Sequence, residues 1–418
     1  MKRKIILAIS FFSLVFFAKG QDLDSLLIEA ARNNPALKAK YELYLAALER
    51  INQKQALPDP TLSFGYFISP VETRVGPQQF KISIAQMFPW MGTNKQKGNV
   101  ASAEAKVFFE QFMQEKNRLL LQIKSYYADL YLNRKEILFK QEEIEILQSF
   151  EPTVRSKYES NLVSLTDLIR VQVSIEDANT SLAVLQSKEK GLVGQLNSLM
   201  HRPLNLPIEH IELPPVPAFE NIKIDSLLST NPSLLMKQAK VAASEERIKL
   251  SEISNRPSIG VGLDYAFVGK RNDINPAGNG RDILMPMVSL SLPIFRKKND
   301  AIKKEAVLIK SSAEQELAAE IISLENDWQQ ATFKSEQSAL LKAQYAKEIE
   351  QKQLMLNILI GEYTNRSANF EEVLATQKQL IMLKLASEKV ELEHYKVMIQ
   401  KEFITGDQPL NIDRYERK

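Results

Sequence analysis

The segment Pro60-Thr61-Leu62-Ser63-Phe64-Gly65-Tyr66-Phe67-Ile68 returns, roughly 200 residues on, as Pro257-Ser258-Ile259-Gly260-Val261-Gly262-Leu263-Asp264-Tyr265. In both, a proline is followed by strict alternation. Leu62, Phe64, Tyr66 and Ile68 alternate with Ser63, Gly65 and Ser69, and Ile259, Val261, Leu263, Tyr265 and Phe267 alternate with small or polar residues. Period two means β-strand, because successive side chains in a strand point to opposite faces. A second alternating run follows each: Phe80, Ile82 and Ile84 in the first copy, Val288, Leu290 and Leu292 in the second. The pattern predicts two β-hairpins, with loops near Ser69 to Gln79 and Gly269 to Leu284.

Working outward, the match persists. Asn34-Pro35 recurs as Asn231-Pro232, Ser83-Ile84 as Ser289-Leu290, Tyr158 as Tyr363 and Gln172 as Gln377, in order and at nearly constant offset. Such ordered matches imply an internal duplication. Each copy begins with a helical stretch, Leu23 to Leu57 and Ile224 to Ser254. Each continues after its hairpin into a long helix, Thr93 to Gln148 and Lys297 to about Ile358, almost free of glycine and proline. At 1.5 Å per residue these helices run roughly 80–90 Å, more than a compact domain needs. A returning helix after Leu165 carries a heptad seam of Leu168, Val171, Ile175, Ala178, Leu182, Leu185, Leu192, Leu196 and Leu199, interrupted by Glu189, which predicts packing on its hairpin partner. The expected division is a signal peptide at 1–20, a first repeat at 21–203, a linker at 204–222 containing Pro214-Pro215-Val216-Pro217, a second repeat at 223–405 and a tail at 406–418.

The first residues set the expected compartment. Lys2, Arg3 and Lys4 precede the apolar run Ile5 to Phe17, and Ala18-Lys19-Gly20 offers small residues for cleavage before Gln21. The run is short for a span of about 20 residues, so an exported chain is expected rather than an anchored one. There is no cysteine, which removes disulfides and cysteine-linked lipid anchoring. With 54 basic and 51 acidic residues interspersed, no concentrated basic face offers itself to nucleic acid.

The strands raise the functional question. Their length, about 9–11 residues, suits a tilted bilayer span. In a membrane barrel the apolar set Leu62, Phe64, Tyr66, Ile82, Ile84, Ile259, Val261, Leu263, Leu290 and Leu292 faces lipid, while the small polar set lines water. Phe88, Trp90 and Phe295 stand at strand ends, where aromatic residues favour the interface. Four strands cannot close a barrel, and an open edge is not tolerated in lipid, so several copies must share one. The alternative class is a soluble periplasmic coiled-coil adaptor, which has helical hairpins but not paired amphipathic β-hairpins.

At the tips the sequence resembles a known family. Asn161-Leu162-Val163-Ser164-Leu165-Thr166-Asp167-Leu168 is similar to the Gly-Leu-Val-x-Ile-Thr-Asp-Val tip of TolC-type outer-membrane efflux proteins. Tyr363 through Phe370-Glu371-Glu372-Val373-Leu374 resembles the second tip more loosely, and Gln86-Met87-Phe88-Pro89-Trp90 followed by Gly92 resembles the exit from the second strand. The resemblance covers essentially the whole mature chain. It implies a mainly helical protein with membrane β-structure: a homotrimer sharing a twelve-stranded barrel continuous with a periplasmic α-helical barrel. It further implies an outer-membrane exit duct for small solutes, docked by its tips onto a periplasmic adaptor (membrane fusion) protein and served by an inner-membrane pump. An exit duct for type I protein secretion is the alternative within the family.

The resemblance also assigns residues. Asp167, Tyr363 and Glu372 match periplasmic gate positions, and Asn161, Leu162, Val163, Asn365 and Arg366 fall at adaptor-contact tips. Two positions depart from the pattern: Ala368 replaces a gating arginine and Ala375 a second aperture acid. Asn161 replaces a glycine, and asparagine tolerates the left-handed backbone such a turn needs.

Enzyme chemistry finds no support in the motifs. Gly260-Val261-Gly262 lacks a third glycine and lies in a strand, and no Gly-x-Ser-x-Gly is present. His201, His210 and His394 have no ligand-like spacing, so neither metal nor cofactor is expected. Met87, Met91, Met285 and Met287 read as packing rather than a metal path.

Overall fold

In the computed structural model the residues described are 23–209, 211–215, 229–364 and 370–406. The expected signal peptide, the linker residues from 216 on, Asn365, Arg366, Ala368 and most of the tail lie outside them. The chain is mainly helical, with one small antiparallel sheet. Its first half runs α1 (Leu23–Asn33), α2 (Pro35–Gln55), β1 (Thr61–Thr73), β2 (Gly76–Phe88), α3 (Thr93–Glu159) and α4 (Leu165–Leu199). Its second runs α5 (Pro232–Ile253), β3 (Ser258–Val268), β4 (Ile283–Ser291), α6 (Arg296–Thr364) and α7 (Phe370–Thr405).

The single helical stretch expected from Leu23 is two helices. Asn34 precedes a proline, which disfavours the helical region, and it sits extended at φ −61°, ψ 120°. Its Oδ1 accepts from Leu37 N at 3.1 Å while its Nδ2 donates to the Leu199 carbonyl at 2.9 Å. Asn231 does the same in the second half: Oδ1 accepts from Ser233 N and Leu234 N at 2.8 and 3.1 Å, and Nδ2 donates to Ile404 O at 2.8 Å. One side chain thus caps the helix that enters each hairpin and ties it to the end of the helix that returns.

The four strands form one sheet in chain order, β1-β2-β3-β4, all antiparallel. The first hairpin is longer than alternation predicts. The strands reach Thr73 and resume at Gly76, so residues expected in a loop from Ser69 to Gln79 are mostly strand. The register shifts between Tyr66 and Val71, and that bulge, with Pro70 inside it, breaks the period that the sequence reading follows. Gly76, at φ 131°, makes the turn that a side chain would obstruct. Likewise β4 starts at Ile283, inside the expected loop. Of the three strand prolines, Pro70 and Pro286 lie on edge strands, where a missing donor costs least, and Pro77 is the second residue of β2 beside the turn.

Both long helices overrun their predicted ends, Gln148 and Ile358, to reach Glu159 and Thr364. Beyond Gln148, α3 passes through Pro152 without ending. Their apolar contacts form separate clusters strung along the helices. One joins Leu26, Leu37, Leu120, Ile123, Leu130, Leu196 and Ile208; another, at the tips, joins Val154, Leu168, Val171, Ile175, Leu359, Tyr363, Val373 and Leu380. The polar seam member Glu189 accepts from Arg134 Nε at 2.8 Å, and the same guanidinium donates to the carbonyls of Ile208 and Glu209 at 2.5 and 2.7 Å. The interruption in the heptad is therefore the anchor of the segment leaving α4. Among the described residues no helix is long and apolar enough to cross a membrane.

Candidate functional site

The ladder decides which strand residues share a face. Leu62 pairs with Ile84, Ile84 with Leu263, Phe64 with Ile82, Ile82 with Tyr265, and Phe88 with Ile259, which in turn pairs with Leu290; Val261 pairs with Val288. Directly paired residues point the same way, so Leu62, Phe64, Tyr66, Ile82, Ile84, Ile259, Val261, Leu263 and Leu290 lie on one face, and all are exposed, as is Leu292 just beyond β4. The other face carries Ser63, Ser83, Ser289 and a cross-strand ion pair, Lys81 Nζ to Asp264 Oδ2 at 2.8 Å. Met87 lies over the bare Gly260, its sulfur 3.9 Å from Ser289 Oγ, and so fills space left by the glycine. β1 and β4 each leave one edge of the sheet without a partner strand in the chain.

At the opposite end of the helices, Asn161 takes the left-handed turn at φ 56°. Leu162 is exposed, whereas Val163 is half-buried against the tip cluster. Asp167 is first of all a cap: its Oδ2 accepts from Ser164 N and Oγ at 3.1 and 2.8 Å, and Ser164 Oγ accepts from Asp167 N. Tyr363 is 5% exposed. Burial raises its phenol above the ordinary value, and the Asp167 carboxylate raises it further, which brings these two expected gate residues together electrostatically. Glu372 stands exposed on α7, as does Ala375.

Two residues here escaped the sequence reading. Lys157 on α3 donates to the Tyr363 carbonyl at 2.8 Å and sits 3.3 Å from the centre of the Tyr363 ring. Arg170 on α4 reaches Glu371 on α7 at 3.3 Å and Asp167 at 3.7 Å. These contacts tie the first helical hairpin to the second. Only the spacing of Arg170 three residues after Asp167 could have signalled them.

A last feature runs along α6. Ile322, Phe333, Leu340, Leu354 and Ile358 are exposed, and Phe333, Leu340 and Leu354 fall on one heptad position. Among the described residues this stripe is uncovered.

A small antiparallel sheet with an exposed apolar face runs on into two very long helical hairpins, an arrangement similar to that of solved outer-membrane channels. No family model matches the sequence, and no curated protein matches it. Solved structures do match. The outer-membrane protein VceC from Vibrio cholerae superposes with a TM-score of 0.76 at 14% identity, over 92% of this chain and 96% of that one. CusC gives 0.78 at 15% identity over 93% of each chain, and the CmeC outer-membrane channel of Campylobacter jejuni 0.75 at 14% over 92% and 85%. At such identities the likeness is one of fold.

Proposed function

We propose that this chain is the protomer of an outer-membrane channel, the passive exit duct of a tripartite efflux system for small solutes. The observation that carries the reading is the sheet. Its apolar face is exposed apart from the stacked Phe80 and Phe267, and among the described residues both its edges are open. A bare apolar face is not tolerable in water, and an open backbone edge is not tolerable in lipid. Three copies joined β1 to β4 would make a closed twelve-stranded barrel, apolar outside and lined by the Lys81–Asp264 face. The uncovered stripe on α6 supports the same assembly, since it offers a neighbour's helix a heptad seam.

In this reading the barrel lies in the outer membrane and the helices extend through the periplasm. The tips, with Asn161, Leu162, Val163, Asn365 and Arg366, meet a periplasmic adaptor, and an inner-membrane pump supplies the energy. Residues 1–20 are removed on export, and 21–203 and 223–405 act as two repeats joined by 204–222, with 406–418 as a tail. Asp167, Tyr363 and Glu372 border the periplasmic aperture, held shut by the ties of Lys157 and Arg170. The test is fractionation. A heat-modifiable trimer extracted from outer membranes by detergent supports the channel, and recovery as a soluble periplasmic monomer overturns it.

A further inference from the structure

We propose that the helix-side rim of the sheet binds the headgroups of anionic phospholipid in the leaflet it meets, an inference that rests on the membrane reading above. The rim is built twice, once per half. After β2 come Trp90 and Met91, and after β4 come Ile294 and Phe295; Met91 is 91% exposed and the last two 70% each. Among the described residues, Met91, Ile294 and Phe295 are left largely uncovered. Cations follow each apolar pair: Lys95 and Lys97 in the first turns of α3, and Arg296, Lys297 and Lys298 directly after Phe295 at the start of α6.

Those positions oppose helix stability. The N-terminal end of a helix macrodipole is positive and favours acids, yet neither first turn contains one. Internal pairing does not explain the cations either. Among the described residues, Arg296, Lys297 and Lys298 are exposed and reach no carboxylate. Of the nearby acids, Glu252 is held by Lys303 at 2.7 Å, and Glu246 by Gln96 and Lys249 at 2.6 and 2.7 Å. The Arg256 guanidinium, 5.7 Å from the Trp90 ring centre, adds a further cation beside the apolar belt. An apolar belt with a basic collar on its water side matches the order of layers at a bilayer surface: acyl chain, then phosphate. Each cation held near an anionic surface raises affinity about fivefold at low salt, an effect that zwitterionic lipid does not supply.

The experiment uses the full assembled chain, reconstituted from detergent into nanodiscs of phosphatidylcholine alone or with about one third phosphatidylglycerol, with retained lipid counted by native mass spectrometry. The expected result is preferential retention of phosphatidylglycerol, reduced at least about tenfold in Arg296→Gln/Lys297→Gln/Lys298→Gln and weakened by salt. Equal retention of both lipids by the parent chain overturns the proposal. So does loss of the preference on adding inorganic phosphate at unchanged ionic strength, which would assign the cations to a free anion. A chain that enters neither bilayer refutes the channel reading itself, a result distinct from insertion without lipid preference.

Discussion

Replacing Lys157 by methionine removes one charge while keeping most of the apolar stem, at the point where the two helical hairpins touch. Two contacts are lost. The ammonium donates to the Tyr363 carbonyl at 2.8 Å, and it lies 3.3 Å from the ring centre of the same residue. A hydrogen bond from a charged donor is worth roughly 1.5–3 kcal/mol and an exposed cation–π contact roughly 0.5–1. Lys157 is half-buried, so solvent screens both, and about 2 kcal/mol per chain is the expected net loss. That is a factor of about 30 in the balance between tied and parted hairpins, multiplied if the chains of a channel open together. Single-channel recording in planar bilayers reads the effect as shorter closed dwells and raised open probability. Lys157→Arg keeps the cation and should recover most of the parent behaviour. The reasoning fails if Lys157→Met forms normal channels with closed dwells like those of the parent, because the tie would then not hold the aperture.

Other consequences can be measured alongside. Arg170→Ala and Glu371→Ala, combined in a double-mutant cycle, should show a smaller coupling of about 0.2–1 kcal/mol in open probability, since both side chains are exposed. A coupling of zero would remove this pair from the gate. Asn231→Ala should lower unfolding stability by about 2–4 kcal/mol, combining a lost cap with an orphaned Ile404 carbonyl; chemical denaturation with an unchanged midpoint would contradict it. Leu340→Asp, on the uncovered stripe of α6, should shift the assembly toward monomer without unfolding the chain, as read by light scattering beside circular dichroism. Tyr395 is raised above the ordinary phenol value of 10.0, by burial first and then by Glu402. A group raised in the folded state contributes its full stability below its unfolded value and loses it as pH climbs toward the folded one. Stability should thus hold up to about pH 10 and fall above it, and Tyr395→Phe should flatten that alkaline decline in chemical denaturation.

The sequence by itself determined the features whose cause is local. Alternation from Leu62 to Ile68 and from Ile259 to Phe267 fixed strand and facing, because period two belongs to the strand alone. Asn34-Pro35 and Asn231-Pro232 marked the duplication, and the seam from Leu168 to Leu199 marked a helix that packs along one side. Where the local signal lapses the reading lapses too, at the bulge after Tyr66 and at the end of α3, which runs on past Gln148 through Pro152. Tertiary structure alone decided what depends on distant parts meeting: that β2 pairs with β3 across the halves, that Glu189 serves Arg134, and that Lys157 and Arg170 clasp the second hairpin. Heptads state that a helix will be covered, but many registers satisfy them equally. Which charges then face each other is settled only when side chains from opposite halves come within bonding distance.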